Sequence, residues 1–304
     1  LELARRSFRV ATVFGLLATA GVITLGDALG FVGGHAQPAK LAAMEAAWTT
    51  EPAPAPFNVI AWPDQARQDN RFALRIPYVL TPLVTHTLDQ PVVGARDIAA
   101  ANEQRVRDGL LAVSALRRLA ADPRDAQALD AFERHQRDLG FGLLAQRYAP
   151  DGDPARLDPT DLHRAALDSV PDVFAVFWSF RLMVAIALAL FAYFMLALLY
   201  TLRDQVQHRR WFLRLAPLMI PLPFLASEFG WLTAELGRQP WTVYELLPTW
   251  MSASGHTVGE LAFSLAVFAA LYTAFLVIDV LLQLRLVRSG PHEGDAATPL
   301  RGAH

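Results

Sequence analysis

Four residues that could do chemistry share one stripe at the end of an apolar segment: Glu228, Trp231, Glu235 and Arg238. Residues three, four and seven positions apart lie on one face of an α-helix. A charged group in a membrane segment is costly and usually functional. Two interpretations stay open. Either Glu235 and Arg238 form an ion pair near the membrane interface, or Glu235 binds a metal cofactor, with Arg238 tuning its charge and Trp231 packing against a flat ring.

A second apolar segment contains Arg181 and Met183. An arginine there must extend to the interface or meet an anion. A thioether is a possible axial ligand of a b-type haem, and a nearby arginine can bind carboxylates. The alternative is that Met183 only packs the helix.

Lys40 and Glu45 lie near Trp48, in a region between two apolar segments. One interpretation is a helix start with its charges in water. The other is a docking site for a redox ligand, in which Lys40 orients an oxygen atom and Glu45 accepts a proton. Their five-residue spacing does not place them on one helix face, so a ligand would have to bridge them.

Composition indicates a membrane protein, since 53% of the residues are hydrophobic and 18% are charged. The net charge of -2 gives no reason to expect nucleic acid as a partner. Without cysteine, disulfides and thiolate metal sites are excluded. Each histidine falls in a predicted loop, helix end or tail, so the chain offers only half of a His-ligated haem site. The sequence assigns no role to Asp279, which lies in the last apolar segment.

Four segments are long and apolar enough to cross a membrane, at about 8–29, 173–202, 211–236 and 260–286. Pro217, Pro221 and Pro223 should break the third. Arginines before the first, between the second and third, and after the fourth are predicted to be cytoplasmic, which puts both termini there and the long loop outside. The expected fold is an all-α integral membrane protein, with about four transmembrane helices and a helical extracytoplasmic loop domain.

The chain divides into a first transmembrane helix (1–30), an extracytoplasmic loop region (31–170), three transmembrane helices (171–288) and a disordered cytoplasmic tail (289–304). Within the loop region, periodicity predicts a helix over 97–121 that Asp122-Pro123 ends. Asp125 is expected to cap the next helix. The proline-rich segment 51–56 is interpreted as a stiff linker rather than a packed element.

Three runs together resemble subunit I of the cytochrome bd quinol oxidases: Gln37-Pro-Ala-Lys40-Leu-Ala-Ala-Met-Glu45, Phe180-Arg181-Leu-Met183 and Glu235-Leu-Gly-Arg238-Gln-Pro-Trp241. Their order and spacing agree from about Arg6 to Leu286, and the long loop is similar to the family's quinol loop.

The resemblance assigns roles to particular residues. Lys40 and Glu45 match the pair implicated in quinol oxidation. Met183 matches an axial ligand of the low-spin haem b, with Arg181 beside its propionates. The remaining matches are at the high-spin haem b and its surroundings: Glu235 at the iron, Arg238 as its partner, and Trp231 and Trp241 as cofactor-binding residues.

The resemblance also implies a respiratory quinol:oxygen oxidoreductase of the bacterial inner membrane. Ubiquinol or menaquinol would be oxidised at the outer face, and oxygen reduced to water with cytoplasmic protons, using two b haems and haem d. The quinone and the identity of the third haem stay open. Implied partners are oxidase subunit II, small accessory subunits and membrane lipids.

Further helices of the family's subunit I, with their histidines, precede the part that this chain matches. We therefore expect a carboxy-terminal portion of subunit I, inactive without the amino-terminal half, which is either a separate chain or lost by truncation. The rival interpretation is a four-span transporter or receptor with an outer helical domain, in which Arg181, Glu228 and Asp279 bind a substrate or coupling ion. A structural membrane fragment without activity is the third.

Overall fold

The computed structural model describes residues 2–150, 153, 155 and 157–289. The chain forms two compact units, Leu1–Ser252 and Ala253–His304. The first unit contains, in order, α1 (Glu2–Ala36), α2 (Pro38–Met44), β1 (Phe57–Asp64), β2 (Asp69–Ile76), α3 (Leu80–Thr85), α4 (Ala95–Ala121), α5 (Ala126–His135), α6 (Leu139–Ala145), α7 (Pro159–Leu167), α8 (Val173–Leu202), α9 (Arg210–Met219), α10 (Leu222–Arg238), β3 (Trp241–Val243) and β4 (Leu247–Pro248). The second contains α11 (Val258–Ser289). The predicted tail lies, apart from Ser289, outside the described residues.

The all-α membrane fold is confirmed. Among the described residues, α1, α8 and α11 are long and apolar enough to cross a membrane, and α9 with α10 makes a fourth span if the bent pair counts as one. The bend between α9 and α10 is 41°. Pro221 precedes α10 and Pro223 lies in its first turn, where the missing N–H is tolerated. The prolines therefore break the third span as predicted.

The loop region packs onto the N-terminal end of α8. One buried cluster joins α2, β1, α4 and the first turns of α8, with Ala43, Ala61, Ala99 and Phe177 all fully buried. Small residues on α2 and α4 let these helices approach closely. The loop region is thus a packed layer whose position is fixed by the membrane helix.

The helices of the loop region follow the predicted signals. α4 ends at Ala121, and the Asp125 carboxylate accepts a hydrogen bond from the Ala128 N–H at the start of α5. A second buried cluster joins α4 to α6 and α7 through Val106, Leu110, Phe141 and Leu162.

One expectation for the loop region is wrong, and one element of it was not predicted. The segment 51–56 is packed, because Ala55 is 1% exposed against Leu80 and Glu51 pairs with Val92 in a β-bridge. The antiparallel hairpin β1–β2, which follows this segment, was not predicted. A bulge between Asn58 and Ile60 turns Asn58 and Ala61 inward, so the hairpin contributes side chains to the interior.

The membrane helices of the first unit meet at small residues. A Cβ atom at Gly15 on α1 would lie 2.3 Å from the Phe194 ring of α8, so only glycine allows this contact. Between α8 and α10, Thr233 Oγ1 donates to Ser179 Oγ at 3.0 Å. These contacts hold α10 against the part of α8 that contains Arg181 and Met183.

Candidate functional site

Glu45 and Arg181 form an ion pair beneath the loop region. Glu45 follows the last turn of α2 and Arg181 lies in the third turn of α8, and 2.6 Å separate Glu45 Oε2 from Arg181 Nη2. Their side chains are 3% and 10% exposed, respectively. Burial raises the pKa of the Glu45 carboxyl, and the Arg181 charge acts in the opposite direction. The site therefore holds a carboxyl group that takes up a proton more readily than an exposed glutamate.

Arg181 is also held by the hairpin. Its Nε and Nη2 donate to the backbone carbonyl of Asn58 at 3.1 and 2.8 Å. The guanidinium lies over the rings of Phe57 and Phe177, at 4.5 and 4.7 Å from the ring centroids. Such cation–π contacts strengthen when they are shielded from water. Hydrogen bonds and rings together fix the orientation of the guanidinium.

The side chain of Lys40 meets α10, whereas the side chain of Glu45 meets α8. The Lys40 side chain lies against Gly237 of α10, where a Cβ atom would be 2.9 Å from Lys40 Cγ and Cε. Partial burial lowers the pKa of the Lys40 ammonium, the Arg238 charge lowers it further, and Glu235 opposes them. Lys40 and Glu45 thus have separate partners, so a ligand would still have to bridge them.

Glu235 and Arg238 form the ion pair that three-residue spacing predicts, with both side chains partly exposed. Trp231, on the same stripe, is 59% exposed, and Glu228 is exposed as well. These exposures mean that other described residues leave the side of α10 that carries the stripe partly uncovered. Both interpretations of Glu235 stay compatible with this geometry.

Met183 faces α10 at a glycine. A Cβ atom at Gly230 would lie 3.0 Å from Met183 Sδ, so the thioether occupies the space that the missing side chain leaves. Trp231 follows Gly230 directly in the sequence. The two predicted haem-site segments, one on α8 and one on α10, are therefore neighbours.

Trp241 lies apart from this group. It is 2% exposed and packs against Phe141 of α6, with 5.2 Å between the ring centroids. Nearby, Arg105 donates to both oxygens of Glu245 and to Asp138. These contacts anchor the segment after α10 in the loop region; the cofactor-binding role of Trp241 stays a prediction.

The sequence analysis missed Phe57 and Asn58, because the hairpin was not predicted. An available signal was the alternation of apolar residues at Phe72, Leu74 and Ile76, which is typical of a strand. It also missed that Asp27 near the end of α1 lies 3.3 Å from His86, whose ring stacks on Phe31.

Comparison with known proteins decides between the interpretations. A sequence model of the family described as cytochrome bd terminal oxidase subunit I matches residues 1–291. The chain belongs to this family. Membership favours the oxidase interpretation over the transporter or receptor, and with the spanning helices it points to a bacterial inner membrane.

Two relatives show how much of a subunit I this chain covers. It is 42% identical over 298 residues to cytochrome bd-II ubiquinol oxidase subunit 1 of Escherichia coli (strain K12), covering 98% of this chain and 58% of that protein. It is 26% identical over 287 residues to cytochrome bd ubiquinol oxidase subunit 1 of Bacillus subtilis (strain 168), covering 94% and 49%. The chain thus spans about half the length of these relatives.

The donor atoms fit a haem on one side only. Met183 offers a thioether and Glu235 a carboxylate, each on a helix face next to an aromatic or basic neighbour. Among the described residues there is no group of three or more His, Asp or Glu side chains placed to hold a metal ion. The ligand on the other side of the iron stays a prediction.

Proposed function

We propose that this chain supplies a quinol-oxidising site and haem-binding residues to a respiratory quinol:oxygen oxidoreductase. The observation that carries the proposal is the buried Glu45–Arg181 ion pair. It joins the predicted proton acceptor of the loop region to α8 at a position two residues from Met183. Proton uptake and electron uptake would then occur at adjacent positions.

Oxidation of a quinol to a quinone releases protons together with electrons, so the site needs a base next to the hydroxyl group. Glu45 is suited to this task, because burial raises the pKa of its carboxyl above the ordinary value and so makes its carboxylate a stronger base. Arg181 keeps the carboxylate charged before the quinol arrives. Lys40 would donate a hydrogen bond to an oxygen of the same ligand.

Met183 would hold the iron of a low-spin haem b, and Glu235 would hold the iron of a high-spin haem b. When bound, the haems would transfer electrons from quinol to oxygen. Nη1 of Arg181 donates no hydrogen bond to any described residue, which leaves it available to a propionate. Arg238 would balance the charge of Glu235, and Trp231 and Trp241 would bind the cofactors by packing.

The complete enzyme would include the remainder of subunit I, subunit II and accessory subunits. It would oxidise ubiquinol or menaquinol, and it would hold haem d or a third haem b for the reduction of oxygen. Loop region 31–170 would lie outside and both termini in the cytoplasm. The arginines that flank the spans support this orientation.

The experiment compares Glu45→Gln and Lys40→Gln with wild type in the assembled complex. Quinol-dependent oxygen consumption should fall about 100-fold in Glu45→Gln, the range typical of a lost general base. Oxygen consumption with an artificial donor that reduces haem directly should stay within about twofold of wild type, the scatter expected when no catalytic group is lost. Unchanged quinol-dependent rates in both variants would refute the proposed site.

A further inference from the structure

Asn58 on β1 contacts both members of the ion pair. Asn58 is 4% exposed, and its Nδ2 donates to the backbone carbonyls of Glu45 and Ala46 at 2.8 and 3.3 Å. Two carbonyl acceptors on one side require the NH₂ group there, which defines the orientation of the amide. The backbone carbonyl of Asn58 accepts the two hydrogen bonds from Arg181.

The turn that Asn58 holds is strained. Ala46, directly after Glu45, has a φ of 48°, in the left-handed region that side chains other than glycine rarely adopt. Such a conformation persists only where surrounding contacts enforce it. The Asn58 amide supplies two of these contacts, so its loss would let the turn relax and move the Glu45 carboxylate.

The other end of the amide faces no described partner. Oδ1 of Asn58 is buried and accepts no hydrogen bond within the described residues. Asn58 lines a cavity of about 30 Å³ together with polar side chains of Asn70 and Arg75. That volume has room for about two water molecules. A residue with a donor at one end and an acceptor at the other suits this place, and neither aspartate nor leucine does.

We propose that Asn58 is a positioning residue for quinol oxidation, which holds the Glu45 carboxylate and the Arg181 guanidinium in register and binds cavity water through Oδ1. The inference rests on the proposed function of Glu45. It adds that the hairpin, through this side chain, sets the geometry of proton acceptance.

Asn70 on β2 provides the matched control. Its Nδ2 also donates to the Ala46 carbonyl, at 3.0 Å, and its Oδ1 accepts from the Trp48 indole. Within the described residues, the Asn70 side chain makes no hydrogen bond to Glu45 or Arg181. A general loosening of the hairpin should therefore appear equally in Asn70→Ala and Asn58→Ala.

The test measures quinol-dependent and artificial-donor oxygen consumption in the assembled complex. Asn58→Ala should lower kcat with quinol about tenfold, a modest loss of orientation, while the artificial-donor rate is retained. Asn70→Ala should lower kcat with quinol less than about threefold, because Asn70 contacts the turn at Ala46 but neither member of the ion pair. Equal losses in the two variants, or equal losses with both donors, would overturn the proposal.

Asn58→Asp tests the same idea if Asn58→Ala does not assemble. The charged groups around the site are Arg181 on α8, Asp69 and Arg75 on β2, Glu51, which pairs with Arg75, and Lys40 on α2, which is directed to α10. A new carboxylate beside Glu45 disfavours the Glu45 charge, so the acidic fall of the quinol-dependent rate should move to higher pH. An unchanged pH profile would overturn the proposal.

Glu45→Gln distinguishes a failure of the proposed function of Glu45 from a failure of the positioning role of Asn58. If it retains the wild-type rate with quinol, the proposed function of Glu45 fails, and the role of Asn58 with it. If Glu45→Gln loses quinol oxidation and Asn58→Ala matches Asn70→Ala, only the role of Asn58 fails.

Discussion

Glu45 and Arg181 lie 136 residues apart in the chain, yet Glu45 Oε2 and Arg181 Nη2 are 2.6 Å apart in a buried ion pair. A buried charge without its partner is strongly unfavourable, whereas the pair itself adds little net stability. The pair is therefore better explained by the geometry that it fixes, because it places the end of α2 on α8 at a residue two positions from Met183 in the sequence.

Removal of the Arg181 charge should destabilise the protein and slow quinol oxidation without abolishing it. Arg181→Gln leaves the Glu45 carboxylate buried without a counter-charge, a loss of about 3–5 kcal/mol unless the carboxyl takes up a proton. The apparent Tm of the purified complex should drop, and Arg181→Lys should be intermediate because lysine lacks the planar fork. The control is Arg71→Gln: Arg71 pairs with Asp64 and is 62% exposed, and such pairs contribute at most about 1 kcal/mol. Equal changes in Tm would contradict the assignment.

The quinol-dependent rate should decline as the pH is lowered, starting at a higher pH than for an ordinary glutamate. Glu45 accepts a proton only as a carboxylate, and burial raises its pKa, with Arg181 opposing the effect. The rate is therefore complete above this raised pKa and is lost as the pH falls through it. The measurement is kcat/KM for quinol against pH, which reports groups of the free enzyme. Arg181→Gln should move the decline to still higher pH; a movement to lower pH would contradict the account.

Gly237→Ala should disturb Lys40 without touching Glu45. The new Cβ atom would lie 2.9 Å from Lys40 Cγ and Cε, so the flexible stem must shift and take its ammonium with it. We expect a rise of about fivefold in KM for quinol, the size of one weakened hydrogen bond, and little change in haem content. Gly255→Ala is the control, because no described atom lies within 4 Å of its Cβ position. Similar KM values for the two variants would show that Lys40 is not used in binding.

The membrane helices and α4 were predictable from sequence because their signals are local. Length, apolarity, three prolines and an aspartate cap define α8, the α9–α10 break and the start of α5. Lys40, Glu45 and Arg181 were identified as candidates by residue type and by resemblance.

The pairing of those candidates was not predictable. Glu45 and Arg181 meet only because a two-stranded hairpin and the small residues of α2 and α4 pack on α8, and such contacts leave no periodic trace in the sequence. Asn58 was missed for the same reason. Its inward orientation depends on a bulge, and a one-residue change of register would turn it to the other face.

Gly230→Ala should perturb the low-spin haem if Met183 is its ligand. The added Cβ atom would lie 3.0 Å from Met183 Sδ and would displace the thioether. We expect a shifted or weakened low-spin b band in the reduced-minus-oxidised spectrum, and loss of that band in Met183→Leu. Leu182→Met, on a more exposed face of α8, is the control and should leave the band unchanged. A wild-type band in Met183→Leu would mean that Met183 only packs the helix.

The most direct test of the central claim is the rate at which quinol reduces the b-type haem of the assembled complex, followed by anaerobic stopped-flow absorbance. The account predicts that Glu45→Gln slows this reduction about 100-fold, as expected when a general base is lost, while dithionite produces the same reduced spectrum as in wild type. Reduction by quinol at the wild-type rate, with the same haem content, would contradict the claim that Glu45 accepts the proton of the quinol.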